Sequence, residues 1–461
     1  MTDIICTSPV NGHVLDSRSF ATPAEIDAAV AAARTAQKTW ARMPLPDRIA
    51  AALRFLDALK AMNEDIVPEL ALQMGRPIRY GGEIRGVEER VRHMAGIAEE
   101  ALAPISPAPR DGFIRTIKRE PLGLVFVIAP WNYPYLTTVN SVVPALIAGN
   151  AVILKHSEQT ILVGDRFQMA MDRAGLPEGL FQHVAMSHEG AAKLMGSGLV
   201  DHVSFTGSVR GGREMERALA GTFASLGLEL GGKDPAYVRA DANLAHAIEN
   251  LVDGAYFNSG QSCCGIERIY VDSSVYNDFV AGFETLARGY VLGDPLETET
   301  TLGPMAQARL AATVREHIAE AVAKGAHAHV DAKAFDADEP GTPYLAPQML
   351  TNVDHSMRVM REETFGPVVG IVKVASEAEA IRLMNDSEFG LTASIWTSDA
   401  EAAERIGAEI ETGTVFMNRC DYVDPGLPWT GVKHTGRGAA LSVLGYQTLT
   451  QPKGYHLRTK L

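Results

Sequence analysis

Residues 124–134 read LVFVIAPWNYP: six consecutive apolar residues, then a turn bracketed by Pro130 and Pro134. A run with no polar alternation is a strand buried on both faces. The same pattern repeats outward from it. AVILKHS (151–157), HVSFTGS (202–208) and LGLELGG (226–232) read as further strands. Between them TVNSVVPALIAG, TILVGDRFQMAMDRAG and VRGGREMERALAG read as helices. Fully apolar strands alternating with helices predict a parallel sheet covered on both sides. A second series follows. IERIYVD, GPVVGIVKV, LTASIWT and GTVFMN are strand candidates, separated by helical stretches at 275–290, 307–326 and 399–411. Residues 331–343 carry Pro and Gly in a polar stretch and read as a surface loop.

Upstream, Ala24 to Leu102 is helical in pattern, with the run 47–72 carrying one continuous three- and four-residue apolar spacing. Residues 112–123, GFIRTIKREPLG, alternate like a strand exposed on one face, and the tail from Gly445 alternates with little core character.

Composition narrows the function classes. The chain has 461 residues, 46% of them apolar, which predicts two or three domains with sizeable cores. Its net charge is −14, so nucleic acid is not an expected partner. The amino-terminal MTDIICTSPVNG lacks the basic and apolar regions of a signal peptide, and no apolar run approaches the ~20 residues of a membrane span. Four cysteines are too few for a disulfide scaffold and suit a reducing cytoplasm.

Five short strings carry chemistry. Asn132, beyond the first strand, can aim its amide into a site at the carboxyl end of a sheet or serve only the turn. Lys155 and Glu158, after the second strand, can hold a ribose or simply open a helix that Ser157 caps. Gly207 and Ser208 open a helix after a strand, where free backbone N–H groups suit a pyrophosphate, although the spacing is not G-x-G-x-x-G. Glu229 lies in an apolar strand and is a candidate general base or half of a buried ion pair. Glu363 and Phe365 precede a strand as a polar loop with an aromatic plug, or as site residues. FNSGQSCCGIER, residues 257–268, sets two cysteines side by side, too close to bridge without strain and at the wrong spacing for zinc. Each can be a reactive thiol, a redox sensor or a buried small residue.

Taken in order, PWNYP, KHSEQT, FTGS, LELGGK, GQSC, EETFGPV and GTVFMN resemble the NAD(P)-dependent aldehyde dehydrogenase superfamily over essentially the whole chain. GVKHTGRG is a looser match. The resemblance implies a doubly wound Rossmann-like cofactor domain (1–105 and 122–230), an α/β catalytic domain (231–440) and a small β oligomerisation arm (106–121 and 441–461). It selects Cys263 over Cys264 as nucleophile and leaves Cys264 as a packing residue. It implies Asn132 and the Cys263 N–H as oxyanion donors and Glu229 as the base that activates water. It implies Lys155, Glu158, Gly207, Ser208, Trp131, Glu363 and Phe365 around NAD, with NADP possible, no metal, and a homodimer or homotetramer. His156 and PWTG (428–431) depart from the family's usual Pro and PFGG. Trp131, Tyr133, Tyr422 and Trp429 are expected to border the substrate tunnel, favouring a medium-sized apolar or aromatic aldehyde. Asp421 and Asp424 at its mouth would disfavour a semialdehyde, unless Arg419 binds the carboxylate; an amino-aldehyde is a further option. Glu229 argues against a CoA-acylating relative, Cys263, Asn132 and Glu229 together against a silent member of the fold, and the lack of a Cys–His pairing signal against a cofactor-free thiol hydrolase.

Overall fold

A computed structural model describes residues 3–461. Four helices come first: α1 (Pro23–Trp40), α2 (Leu45–Lys60), α3 (Asn63–Met74) and α4 (Ile84–Ala101). The run 47–72 is thus two helices, parted at Ala61 and Met62. Met62 is buried at the break, and Glu64 and Asp65 occupy the first turn of α3, where carboxylates complement the helix dipole. The apolar spacing runs through the break because both helices bury one side, so periodicity does not reveal it.

The first sheet is built from β1 (Leu124–Ile128), β2 (Ala151–Lys155), β3 (Phe181–His183), β4 (His202–Thr206) and β5 (Ser225–Glu229) in the parallel order β5-β4-β1-β2-β3. Helices α5 (Pro134–Ala148), α6 (Ile161–Arg173), α7 (His188–Gly196) and α8 (Val209–Leu219) connect these strands. Every residue of β1 and β2 is buried, as their apolar runs require, and the burial extends to Lys155 at the end of β2. The chain leaves β1 to one side for β2 and β3 and returns to the other side for β4 and β5. β1 is therefore the switch point, and a crevice opens beyond its carboxyl end.

The second sheet forms around β6 (Asp234–Val238) and, after α9 (Leu244–Tyr256), β7 (Ile266–Asp272), with β8 (Gln348–Thr351), β9 (Val368–Val374), β10 (Thr392–Trp396) and β11 (Thr414–Met417), in the parallel order β8-β9-β7-β6-β10-β11. β6 is a central strand that sequence patterning did not signal, because Asp234-Pro235 reads as a turn. It is tolerated because Pro235 sits at the strand's start.

Phe113–Pro121 pairs antiparallel with Thr450–Arg458 over nine residues, outside both sheets. The rest of the tail does not join that ribbon. Gly436–Arg437 pairs with the edge of β5, and Ser442–Thr448 is a helix that buries Tyr446, whose hydroxyl donates to Met94 O at 2.8 Å. No helix among the described residues is long and apolar enough to cross a membrane.

Candidate active site

The strand ends bring the sequence-marked residues to one edge. Lys155 ends β2 and is buried. Its amine makes no hydrogen bond or ion pair among the described residues, and burial lowers its pKa while Glu158 opposes the shift. Ser208 caps α8, its Oγ accepting from Gly211 N at 3.2 Å. A Cβ on Gly207 or Gly211 would run into the Phe205 ring, so the helix start stays bare and close to the sheet. Glu229 ends β5, and Thr206 Oγ1 donates to its Oε2 at 3.2 Å. Burial lifts the Glu229 carboxyl to about 7, against the Thr206 bond and the Arg90 charge.

The cysteine loop follows α9. Asn258, Ser259 and Gly260 are all left-handed, with φ of 54°, 56° and 67°. Two of these are not glycine, a costly backbone at a functional position. It is held from outside. Ser259 Oγ donates to Gly303 O at 2.9 Å, and Gln261 Oε1 accepts from Ala306 N at 2.8 Å. Asn132 Nδ2 donates to Gln261 O at 3.1 Å, two residues before Cys263. Cys263 is half-buried, and among the described residues its N–H makes no hydrogen bond. Gly232 packs on this loop so closely that a Cβ there would overlap the Cys263 carbonyl oxygen.

The third wall is the EETFGPV turn. Glu363 accepts from Gly232 N at 2.9 Å, and burial beside Glu267 pushes its carboxyl up to about 8. Lys233 is buried in an ion pair with Glu267, which also accepts from Phe365 N at 2.9 Å. That clamp holds Phe365 at φ 54° with its ring edge-on to Trp131, 5.7 Å between centroids. Strings some 230 residues apart thereby meet, Trp131 after β1 of the first sheet against Phe365 before β9 of the second.

The sequence profile of the Aldehyde dehydrogenase family matches residues 2–454. The chain belongs to the aldehyde dehydrogenase family. It is an oxidoreductase that oxidises aldehydes. A betaine aldehyde dehydrogenase of Bacillus subtilis is 30% identical over 94% of this chain and 89% of its own length. A geranial dehydrogenase of Castellaniella defragrans is 33% identical over 92% and 89%. The solved structure of an NAD-dependent aldehyde dehydrogenase from Sinorhizobium meliloti superposes with a TM-score of 0.94 at 32% identity, covering 99% of this chain and 92% of that one.

Within the family frame, the most informative residues are ones the sequence did not mark. Arg76 is buried and spends three nitrogens on three segments: Nη1 to Glu83 at 2.5 Å, Nη2 to Asn132 O at 2.7 Å and Nε to Asn258 Oδ1 at 3.2 Å. Glu83 in turn accepts from Tyr135 N and Leu136 N, at 2.9 and 2.7 Å, and so caps α5. Only the fold brings these partners together. The one visible signal was Arg76 between Gly75 and Pro77 at the end of a helix.

The expected tunnel aromatics do not form one wall. Tyr133 lies under the Arg76 guanidinium, 4.8 Å from ring centroid, with its hydroxyl buried. Tyr422 donates to Glu89 at 2.5 Å and carries Arg419 on its face. Trp429 is buried in the first sheet's core. Cys264 is more than packing: its Sγ donates to Asp421 Oδ1 at 3.0 Å, as does Ser262 Oγ at 3.0 Å. Asp421 therefore turns inward onto the cysteine loop, while Asp424 is exposed and bonds Gly426 N. Among the described residues no cluster of His, Cys, Asp or Glu is placed to hold a metal ion.

Proposed function

We propose that this chain oxidises an aldehyde to the carboxylic acid with NAD, by covalent catalysis on Cys263 and hydrolysis assisted by Glu229. The observation that carries the reading is the Asn132 amide lying on the Cys263 loop at 3.1 Å from Gln261 O. The Cys263 thiolate attacks the aldehyde carbon, and the carbonyl oxygen becomes an oxyanion. The Cys263 N–H and the Asn132 amide face that oxygen; a donor of this kind is worth ~3 kcal/mol. A nicotinamide held against Trp131, Glu363 and Phe365 would supply the hydride acceptor that turns the thiohemiacetal on Cys263 into a thioester. The thioester left on Cys263 is attacked by water, Glu229 takes the water's proton, and the thiolate departs with the acid released. Glu229 bonds Thr206 in the structure, so its side chain swings toward the thioester for this step.

The residues present fit NAD. Lys155 offers a buried amine without a hydrogen-bond partner among the described residues, Glu158 an acceptor for a ribose hydroxyl, and Gly207 and Ser208 a bare helix start for the pyrophosphate. Glu363 and Phe365, with Trp131, close the nicotinamide end. Glu158 repels a 2′-phosphate, so NAD is preferred to NADP. The first sheet with α1–α4 is the cofactor domain and the second sheet the catalytic domain. The ribbon of Phe113–Pro121 with Thr450–Arg458 leaves Ile114 and Leu457 exposed and serves assembly into a dimer or tetramer. Four unbridged cysteines suit the cytoplasm.

Cys263→Ala should abolish NADH formation from an aldehyde while Cys264→Ala keeps most of it. Equal loss in both variants, or acyl-CoA formed when CoA is supplied, refutes the assignment.

A further inference from the structure

Arg90 stands where an apolar residue belongs. On α4 the buried positions are 87, 91, 94, 95 and 98, and Arg90 lies on that same stripe, itself only 7% exposed. It faces α5, where its Nη1 donates to Leu136 O at 2.8 Å and to Asn140 Oδ1 at 2.9 Å. Both partners are neutral. Among the described residues no carboxylate pairs with Arg90, and its Nε and second terminal nitrogen make no hydrogen bond.

The neighbouring acids are committed elsewhere. Glu83 serves Arg76 and the start of α5, Glu89 serves Tyr422, and Glu229 is held by Thr206. Asp421 is turned onto Ser262 and Cys264. A buried guanidinium with no carboxylate in hydrogen-bond reach is costly, and a ligand carboxylate bonded to it would offset that cost. Its position fits a ligand of the reaction. Asn132 stands two residues before α5, and Leu136 in its first turn and Asn140 one turn further lie on the same helix, each turn rising about 5.4 Å. Burial lowers the Arg90 pKa, and the charges of Glu83 first and then Glu229 oppose that shift without bonding to the guanidinium.

We propose that Arg90 is a specificity-determining residue that binds the carboxylate of the substrate, an ω-carboxy aldehyde of about four to six carbons. This rests on Cys263 as nucleophile. It replaces Arg419, which stacks on Tyr422, as the carboxylate's partner. A guanidinium takes a carboxylate through two parallel N–H bonds, and the two nitrogens left unused on Arg90 offer them.

The test compares succinic and glutaric semialdehydes with butanal and pentanal, and includes betaine aldehyde as a cation. The wild-type enzyme should give kcat/KM at least about 10-fold higher for a semialdehyde than for its neutral counterpart, the worth of a bond to a charged group. Arg90→Met should lower semialdehyde kcat/KM about 10- to 100-fold, chiefly through KM, and leave butanal within about threefold. Arg90→Lys should restore part of the loss. A purely structural arginine would lower both substrates together, and that result overturns the proposal. Should Arg90→Met fail to fold, glutarate against butanal in the wild type decides: competitive inhibition supports the site, and none refutes it. A wild-type preference for butanal or betaine aldehyde also refutes it, while leaving Cys263 catalysis intact. Loss of all aldehyde oxidation on Cys263→Ala is read separately, with butanal.

Discussion

Arg76→Lys tests whether the oxyanion donor is held by the brace beneath it. The arginine makes three hydrogen bonds, to Glu83, to the Asn132 carbonyl and to Asn258. Lysine keeps the charge opposite Glu83 but has no planar fork, so two of the three bonds are lost. At about 0.5–1.5 kcal/mol each, stability should fall by about 1–3 kcal/mol. The catalytic effect comes from Asn132. If its amide drifts from the oxyanion position, the loss approaches that of a whole donor, about 2.7–4 kcal/mol, or 10²–10³ in rate. Partial drift sets an expected fall in kcat of about 10-fold or more. KM for NAD should stay unchanged, because Lys155, Glu158 and Ser208 do not touch Arg76. The assay is steady-state NADH formation at saturating NAD, with thermal unfolding alongside. A kcat within about twofold of wild type at a lowered Tm would refute the reasoning and leave Arg76 a stabilising residue only. Arg76→Met is a harsher control that strands Glu83 in the interior at a cost of about 3–5 kcal/mol.

Two other outcomes follow from the site. Glu229 acts as the carboxylate, so with its pKa lifted to about 7 the rate of thioester hydrolysis should fall as pH drops through neutrality. Thr206→Val removes the bond that favours the carboxylate and should move that limb to higher pH, as read from pre-steady-state hydrolysis; a limb that stays put, or one near the ordinary carboxylate range, contradicts the role of Glu229. Glu158→Ala should shift the ratio of kcat/KM toward NADP by about 3- to 10-fold, since the screened repulsion of a 2′-phosphate is lost; an unchanged ratio would remove Glu158 from the ribose site.

Most of the architecture was legible because β1 is wholly apolar, β2 and β9 each carry a single charged residue, and β7 keeps the apolar core IYV. β6 was not, because its proline imitates a turn. The helical break at Ala61–Met62 was hidden by a continuous apolar stripe, and the tail helix Ser442–Thr448 by its weak pattern. Residues beyond strand ends were legible as site candidates because a carboxylate, an amide or a bare glycine there has few structural reasons to exist. Glu83, Lys233 and Glu267 were invisible, and Arg76 was marked only by its place between Gly75 and Pro77, since these residues matter through partners up to 182 residues away, as Arg76 and Asn258 are. The contacts of the expected tunnel aromatics were equally hidden. Sequence places Tyr133 and Tyr422 near the motifs, but only packing shows that an arginine covers the face of each. Arg90 broke the apolar stripe of its helix, a signal that a helical-wheel reading of α4 could have flagged.

The central claim is that Cys263, and not its neighbour, carries the acyl group that Glu229 helps to release. Mass spectrometry of Glu229→Gln enzyme, quenched after a single turnover with butanal and NAD, tests it most directly. The account predicts one equivalent of NADH and one acyl group mapped to Cys263, with Cys264 unmodified. An acyl group on Cys264, or NADH formed with no acyl group retained on the protein, would contradict it.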